Sequence, residues 1–321
     1  MIISNLEKAI VSTLVYHDLL DRPLTSLEIL KYLDKTFLES SPSLSKLQTI
    51  LEESQKLKNI LGQKKGFYFI KGRHKIIETR ITRQKLADQK WKKIRKISKL
   101  FQILPYLRLI GITGSLTLNN TREESDLDLL LITKTGRIWT SRALTAGLVS
   151  LIGKKRHRQI TKDKICLNCY LSQESLEIKP EIKPHDLHAA YEYFRLMPLL
   201  ETKPGCFQNF KKANTWLANH FFSYNSESQK NNLKTVQINK SLDLFRRFFE
   251  KILDTKIGDF LEKKLGQWQK NKIAKGLKYP QADDQIVFSD QCLMFHPHSK
   301  APRLLKDYQL KMKTLKIATM V

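Results

Sequence analysis

The chain has 321 residues, 41% of them hydrophobic, which is enough for two or three domains with small cores of their own. Lys and Arg number 57 against 31 Asp and Glu, a formal net charge of +26 that departs from the near-neutral balance of an ordinary cytosolic enzyme and favours polyanionic partners. No apolar run reaches the roughly 18 to 20 residues of a membrane span, and Cys166, Cys169, Cys206 and Cys292 are too few and too unevenly spaced for a disulfide framework.

Residues 1 to 83 are expected to form a winged helix-turn-helix-like domain. Leu6, Ile10 and Leu14 recur at helical spacing. The opening MIISNLEKAI lacks the basic segment of a secretion signal, so a cytoplasmic chain with no membrane partner is expected. Thr25 and Glu28 make a capping box for a second helix through Tyr32 and Leu33, and Leu44, Leu47, Ile50 and Leu51 mark a third. Glycines then bracket a β-rich run in which Phe67 and Phe69 share one face, as a wing would. Such modules bind DNA in some proteins and dock other proteins elsewhere. The exposed face of the third helix, EESQKLK, is not strongly basic.

Residues 84 to 178 are expected to be a compact α/β (α+β) core, a small mixed sheet with helices. A basic amphipathic helix from about 84 to 104 would bury Leu86, Trp91, Ile94, Ile97 and Phe101 until Pro105 stops it. YLRLIGITGS reads as a strand and tight turn, DLDLLLIT as a strand, Ile138 to Ile152 as a helix and KICLNCYLS as a third strand. From Lys64 to Arg108, fifteen Lys or Arg stand against Glu78 and Asp88 alone, and Lys154, Lys155, Arg156, His157 and Arg158 form a second basic run. Both runs suit contact with the phosphates of RNA or DNA. From 179 to 321 four segments carry apolar residues at three-to-four spacing, so a mostly helical region is expected to cap the core, with a polar loop from Ser223 to Lys234.

In a strand, Asp126 and Asp128 point to the same face while Leu127 and Leu129 turn toward the core. Two carboxylates held this close repel each other unless a divalent cation lies between them, and Mg²⁺ is commonly held by one or two carboxylates plus substrate phosphates. Gly114 and Ser115 alongside would offer backbone N–H groups and a hydroxyl to those phosphates. A metal-bound triphosphate accounts for both features. An Asp-x-Asp triplet arises by chance about once in a chain this long. The rarer constellation is a strand ending in Gly-Ser, a spacer of ten residues, and an Asp-x-Asp that opens a strongly apolar strand.

Ile112-Thr113-Gly114-Ser115 and Asp126-Leu127-Asp128 resemble the signature of nucleotidyltransferase domains of the DNA polymerase β-like superfamily, a likeness that covers roughly residues 90 to 172. The resemblance implies that Gly114 and Ser115 hold the phosphates of an NTP and that Asp126 and Asp128 ligate Mg²⁺, with two ions in an active enzyme. Such enzymes move a nucleoside monophosphate from an NTP onto a hydroxyl and release pyrophosphate. The basic surface favours RNA or DNA as acceptor or anchor. The family's third carboxylate is matched by Asn168, an amide that can ligate a metal but cannot take a proton, and a positioned base is worth typically about 10² to 10⁴ in rate. Glu174 or Glu177 would substitute if the chain turned back. The alternative is a catalytically impaired, nucleic-acid-binding regulator on the same fold.

Other candidates are weaker. Cys166 and Cys169 form a C-x-x-C, but strand alternation would send their sulfurs to opposite faces. His185 and His188 would share a helical face without a further ligand. His296 and His298 suit a loop leading into a helix. Trp139 packs, and Arg142, one turn on, would reach the phosphates if its face turned inward.

Overall fold

The computed structural model describes residues 3–156, 160–225, 234–276, 285–296 and 299–317. His157, Arg158, His298 and most of the expected Ser223 to Lys234 loop lie outside the described residues.

The chain opens with α1 (Asn5–Asp18), α2 (Ser26–Lys31), α3 (Leu44–Glu53) and α4 (Gln55–Ile60). Ser4 with Glu7 and Thr25 with Glu28 form reciprocal capping boxes that satisfy the first free N–H groups of α1 and α2. The expected third helix is divided at Ser54, whose hydroxyl accepts from the Leu57 amide (3.2 Å) and starts α4. The hairpin β1 (Leu61–Lys64) and β2 (Phe67–Ile70) follows, turning through Lys65 and Gly66, both at positive φ as a two-residue turn of this hand requires.

Next comes α5 (Ile76–Phe101), which begins at Ile76 instead of near residue 84 and so runs from the hairpin to the sheet. The elements β3 (Leu107–Ile112), β4 (Leu127–Thr133), α6 (Ile138–Leu151) and β5 (Ile165–Ser172) lie within a residue or two of their expected bounds. The C-terminal region departs from expectation. After α7 (Leu187–Phe194) the chain forms β6 (Met197–Glu201), and after α8 (Cys206–Ala213), α9 (Lys240–Leu253) and α10 (Lys256–Gly276) it forms β7 (Gln285–Phe288) and β8 (Cys292–His296) before α11 (Ala301–Thr314). The region expected to be mostly helical therefore supplies three strands of one six-stranded sheet, ordered β6-β3-β4-β5-β8-β7. Only β4 and β5 are parallel, joined through α6; the other pairs are antiparallel, and the fold class is mixed α+β.

Each sheet face carries a core. On one, Leu130, Ile132, Cys169 and Leu171 pack with α1, the hairpin, α7 and α11. On the other, Leu129, Leu131 and Tyr170 pack with Trp91, Ile94 and Phe101 of α5 and with Ile138 and Trp139 of α6. The first and last described helices meet through the Ser12 and Tyr308 hydroxyls (2.7 Å) and a Lys311–Asp18 ion pair.

Candidate functional site

β4 carries Asp128 as its second residue, and Asp126 immediately precedes the strand. The segment leading to them is fixed from α5. The buried Lys90 ammonium donates to the carbonyls of Glu123 (3.1 Å) and Ser125 (2.7 Å) and pairs with Asp163 (2.9 Å), and Trp91 donates to Asn119 Oδ1 (3.2 Å). Part of the basic run thus has internal work: Arg73, Arg80, Arg83, Lys90, Lys93 and Arg108 all sit in ion pairs within the chain.

The Gly-Ser turn lies against Asp128. Gly114 has φ +68° and opens a short 3₁₀ turn, Gly114–Leu116, and the Thr113 amide donates to the Asp128 carbonyl (3.1 Å). A Cβ at position 114 would fall on the Asp128 carboxylate, well inside the 3.0 Å that real Cβ atoms keep. Glycine is required here both by the left-handed backbone and by the close approach.

Asp126, Asp128 and Cys166 place one potential ligand atom each within 4.8 Å of one another. Asn168 is 8% exposed; its Nδ2 donates to Asp128 Oδ1 at 3.4 Å, and its Oδ1 has no hydrogen-bond partner among the described residues. Both β5 side chains reach the aspartates because of the β4–β5 register, in which Asp128 lies opposite Cys166 but Leu130 lies opposite Cys169. Cys166 and Asn168, two residues apart, share the face of the carboxylates by alternation, and one extra residue between Cys166 and Cys169, a bulge, brings Cys169 and Leu171 onto that same sheet face, over the first core. The expectation that the two sulfurs point to opposite sheet faces fails for this reason. Sequence reasoning weighed Cys166 only with Cys169 and did not join it to the aspartates, although alternation alone places it on the face of Asn168.

Burial, then the neighbouring Asp126 charge and Glu192, raise the Asp128 carboxyl from 3.8 to about 7, and burial with both aspartates pushes the Cys166 thiol up to about 12. Arg156 supplies the positive charge, pairing with Asp126 (2.7 Å) and donating to Cys166 Sγ (3.3 Å). Glu192, on α7, is itself opposed by burial but is held at about 2 by Lys183, with His296 and His188 nearby. Glu192 and Lys183 gave no signal in the sequence, and His188 and His296, though noted there, could not be joined to the aspartates because they come from distant segments.

Several expectations are corrected. Glu174 and Glu177 are exposed beyond the C-terminal end of β5, whereas the aspartates sit beside its N-terminal end, so neither glutamate joins the aspartates as a third carboxylate. Arg142 is held by Gln269 Oε1 (2.5 Å) and by the Phe295 ring on the α6 side of the sheet, away from the aspartate face. His185 precedes α7 and stacks on Trp216, while His188 bonds to the Tyr16 hydroxyl (2.9 Å), so the pair shares no helical face. His296 ends β8. A scan against protein-family models finds no match to this chain, and searches of curated proteins and of solved structures find none either.

Proposed function

We propose that the chain is a Mg²⁺-dependent nucleotidyltransferase that moves a nucleoside monophosphate from an NTP to a hydroxyl, with RNA or DNA as acceptor or anchor. The observation that carries this reading is the contact of the glycine turn with Asp128: a side-chain-free, left-handed residue lies directly against one of two adjacent carboxylates. The donor set suits a divalent cation. Asp126 and Asp128 supply hard oxygens, the buried Asn168 Oδ1 is an acceptor without a partner among the described residues, and the cradle beside Gly114 has no room for a Cβ. Bound Mg²⁺ would neutralise the phosphates and stabilise the entering and leaving oxygens.

The chain's own residues then divide the work. Gly114 and Ser115 present the turn to the outer phosphates, and Asp126 and Asp128 fix the cation at the start of β4. The acceptor oxygen bonds to the α-phosphorus as the bond to pyrophosphate breaks. Asn168 orients Asp128 through its Nδ2, and the acceptor's proton passes to solvent because an amide cannot take it. On this reading residues 1–83 are a winged helix-turn-helix-like module, 84–178 the nucleotidyltransferase core and 179–321 the C-terminal region, and the protein works in the cytoplasm.

A second reading, a catalytically impaired nucleic-acid-binding regulator, is favoured by two observations. The Arg156 guanidinium already pairs with Asp126, and Asn168 stands where a third carboxylate would accept the proton. Incubation with Mg²⁺ or Mn²⁺, total cellular RNA and each α-labelled NTP separates the two. Label transferred by the wild type and not by Asp128→Asn supports the transferase; no transfer from any NTP, with Mg²⁺-dependent NTP binding retained, supports the regulator.

A further inference from the structure

The helix α9 packs on the protein by its polar edge. Glu250 accepts from the Tyr106 amide (2.7 Å) and pairs with Arg108 (2.8 Å) and Arg246 (2.6 Å), and Asp243 pairs with Arg246 (2.5 Å). Arg246 is the one buried side chain of this helix. The opposite edge carries Phe245, Phe248 and Phe249 at three-to-four spacing, with Phe248 60% exposed. α10 continues the arrangement. Asp259 pairs with Arg137 (2.6 Å), and Glu262 accepts from the Trp139 and Thr140 amides (2.9 and 2.8 Å), while Ile257, Phe260 and Trp268 are 70%, 58% and 59% exposed.

Soluble proteins rarely present an apolar face of this extent without a use for it. The charges around it narrow the use. α9 carries four Lys or Arg against two acids, and α10 six Lys against two acids. All four acids are engaged in the contacts just named, so the outward surface is aromatic rings among lysines. Lys264 lies over Phe260 (5.6 Å) and Lys272 over Trp268 (5.2 Å). A second copy would bring the same net charge of +26 against this one. A nucleic-acid duplex, its bases already stacked, would satisfy the lysines and leave the phenylalanines in water, and bases of a single strand would stack on the rings but leave the aliphatic Leu244, Ile252 and Ile257 uncovered. An anionic lipid surface takes both, with rings at the boundary between headgroups and acyl chains and lysines at the phosphates.

We propose that the α9–α10 face docks reversibly on an anionic membrane surface and lies in its plane. Among the described residues no helix is long and apolar enough to cross a membrane, so the contact is peripheral. Leu265 and Ile273 of α10 pack in the core on the α6 side of the sheet, so docking does not cover Asp126 and Asp128, which lie on the other face.

The test is co-sedimentation of the full chain with vesicles of phosphatidylcholine alone or mixed with phosphatidylglycerol, with far-ultraviolet circular dichroism as the check on folding. Binding to the mixed vesicles is expected to weaken about tenfold or more in Phe245→Ser/Phe248→Ser, which keeps every charge. Brominated acyl chains are expected to quench the wild type and to quench Trp268→Phe less. Wild-type affinity in the folded double variant would mean adsorption by charge alone and overturn the proposal. Absence of vesicle binding, or a wild-type dimer that the double variant dissociates, would overturn it equally.

Discussion

Gly114 and Asn168 are the two residues at which small changes discriminate most. Gly114→Ala adds a methyl group against the Asp128 carboxylate at a backbone angle that L residues rarely adopt, and is expected to cost roughly 1 to 3 kcal/mol in urea unfolding. If the turn holds phosphates, the same change also abolishes Mg²⁺-dependent NTP binding, whereas Gly136→Ala, at a positive φ with open space around it, costs stability and leaves binding intact. Asn168→Asp would place a third carboxylate beside two that already repel. Without metal it should lower stability by about 1 to 3 kcal/mol, and Mg²⁺ should restore the loss, because a cation reverses the sign of that interaction. A loss that Mg²⁺ does not reverse would remove Asn168 from the proposed metal site. The aspartate pair and the Gly-Ser turn were legible because their spacing on apolar strands has a chemical meaning. The places of Cys166 and Arg156 beside them were not: one depends on the β4–β5 register and the other on an ion pair across the chain.

At the level of elements, α10 caps α6 from outside. The Glu262 carboxylate accepts from the first two amides beyond Ile138, at the positive end of the helix dipole. Glu262→Ala leaves those amides unpaired and is expected to cost about 1 to 2 kcal/mol in unfolding experiments, with Glu262→Gln recovering part of it. Equal stability of all three would show that the cap contributes nothing. The strands β3, β4 and β5 could be read from short apolar runs bounded by turn residues. β6 could not, because MPLLE follows α7 with no break in the apolar pattern and contains Pro198, which only an edge strand accommodates readily. β7 and β8 span four and five residues, too short for alternation to separate them from loop. They exist because β5 would otherwise be an unprotected edge.

For the whole molecule, charge and burial set the response to solution conditions. His17 and His188 are held neutral chiefly by burial, at about 3 and about 4 against the usual 6.5. Below pH 6.5 the unfolded chain therefore binds protons that the folded chain does not. Their contribution is intact above 6.5 and declines as pH falls toward 4 and then 3, for the fully buried His17 by up to about 1.4 kcal/mol per pH unit. Urea titrations across this range should give a shallower slope for His17→Gln; an unchanged slope would contradict its burial in the neutral form. The domain-scale reading from charge was partly obscured by composition, since many basic side chains of α5 are consumed in internal ion pairs that no local pattern reveals. The most direct measurement is calorimetric titration of each NTP into the wild type and Asp128→Asn, with and without Mg²⁺. A metal-bound triphosphate between the glycine turn and the aspartates predicts saturable binding that requires Mg²⁺ and disappears in the folded variant. Binding that is equal in both proteins, or absent from the wild type in Mg²⁺, would contradict it.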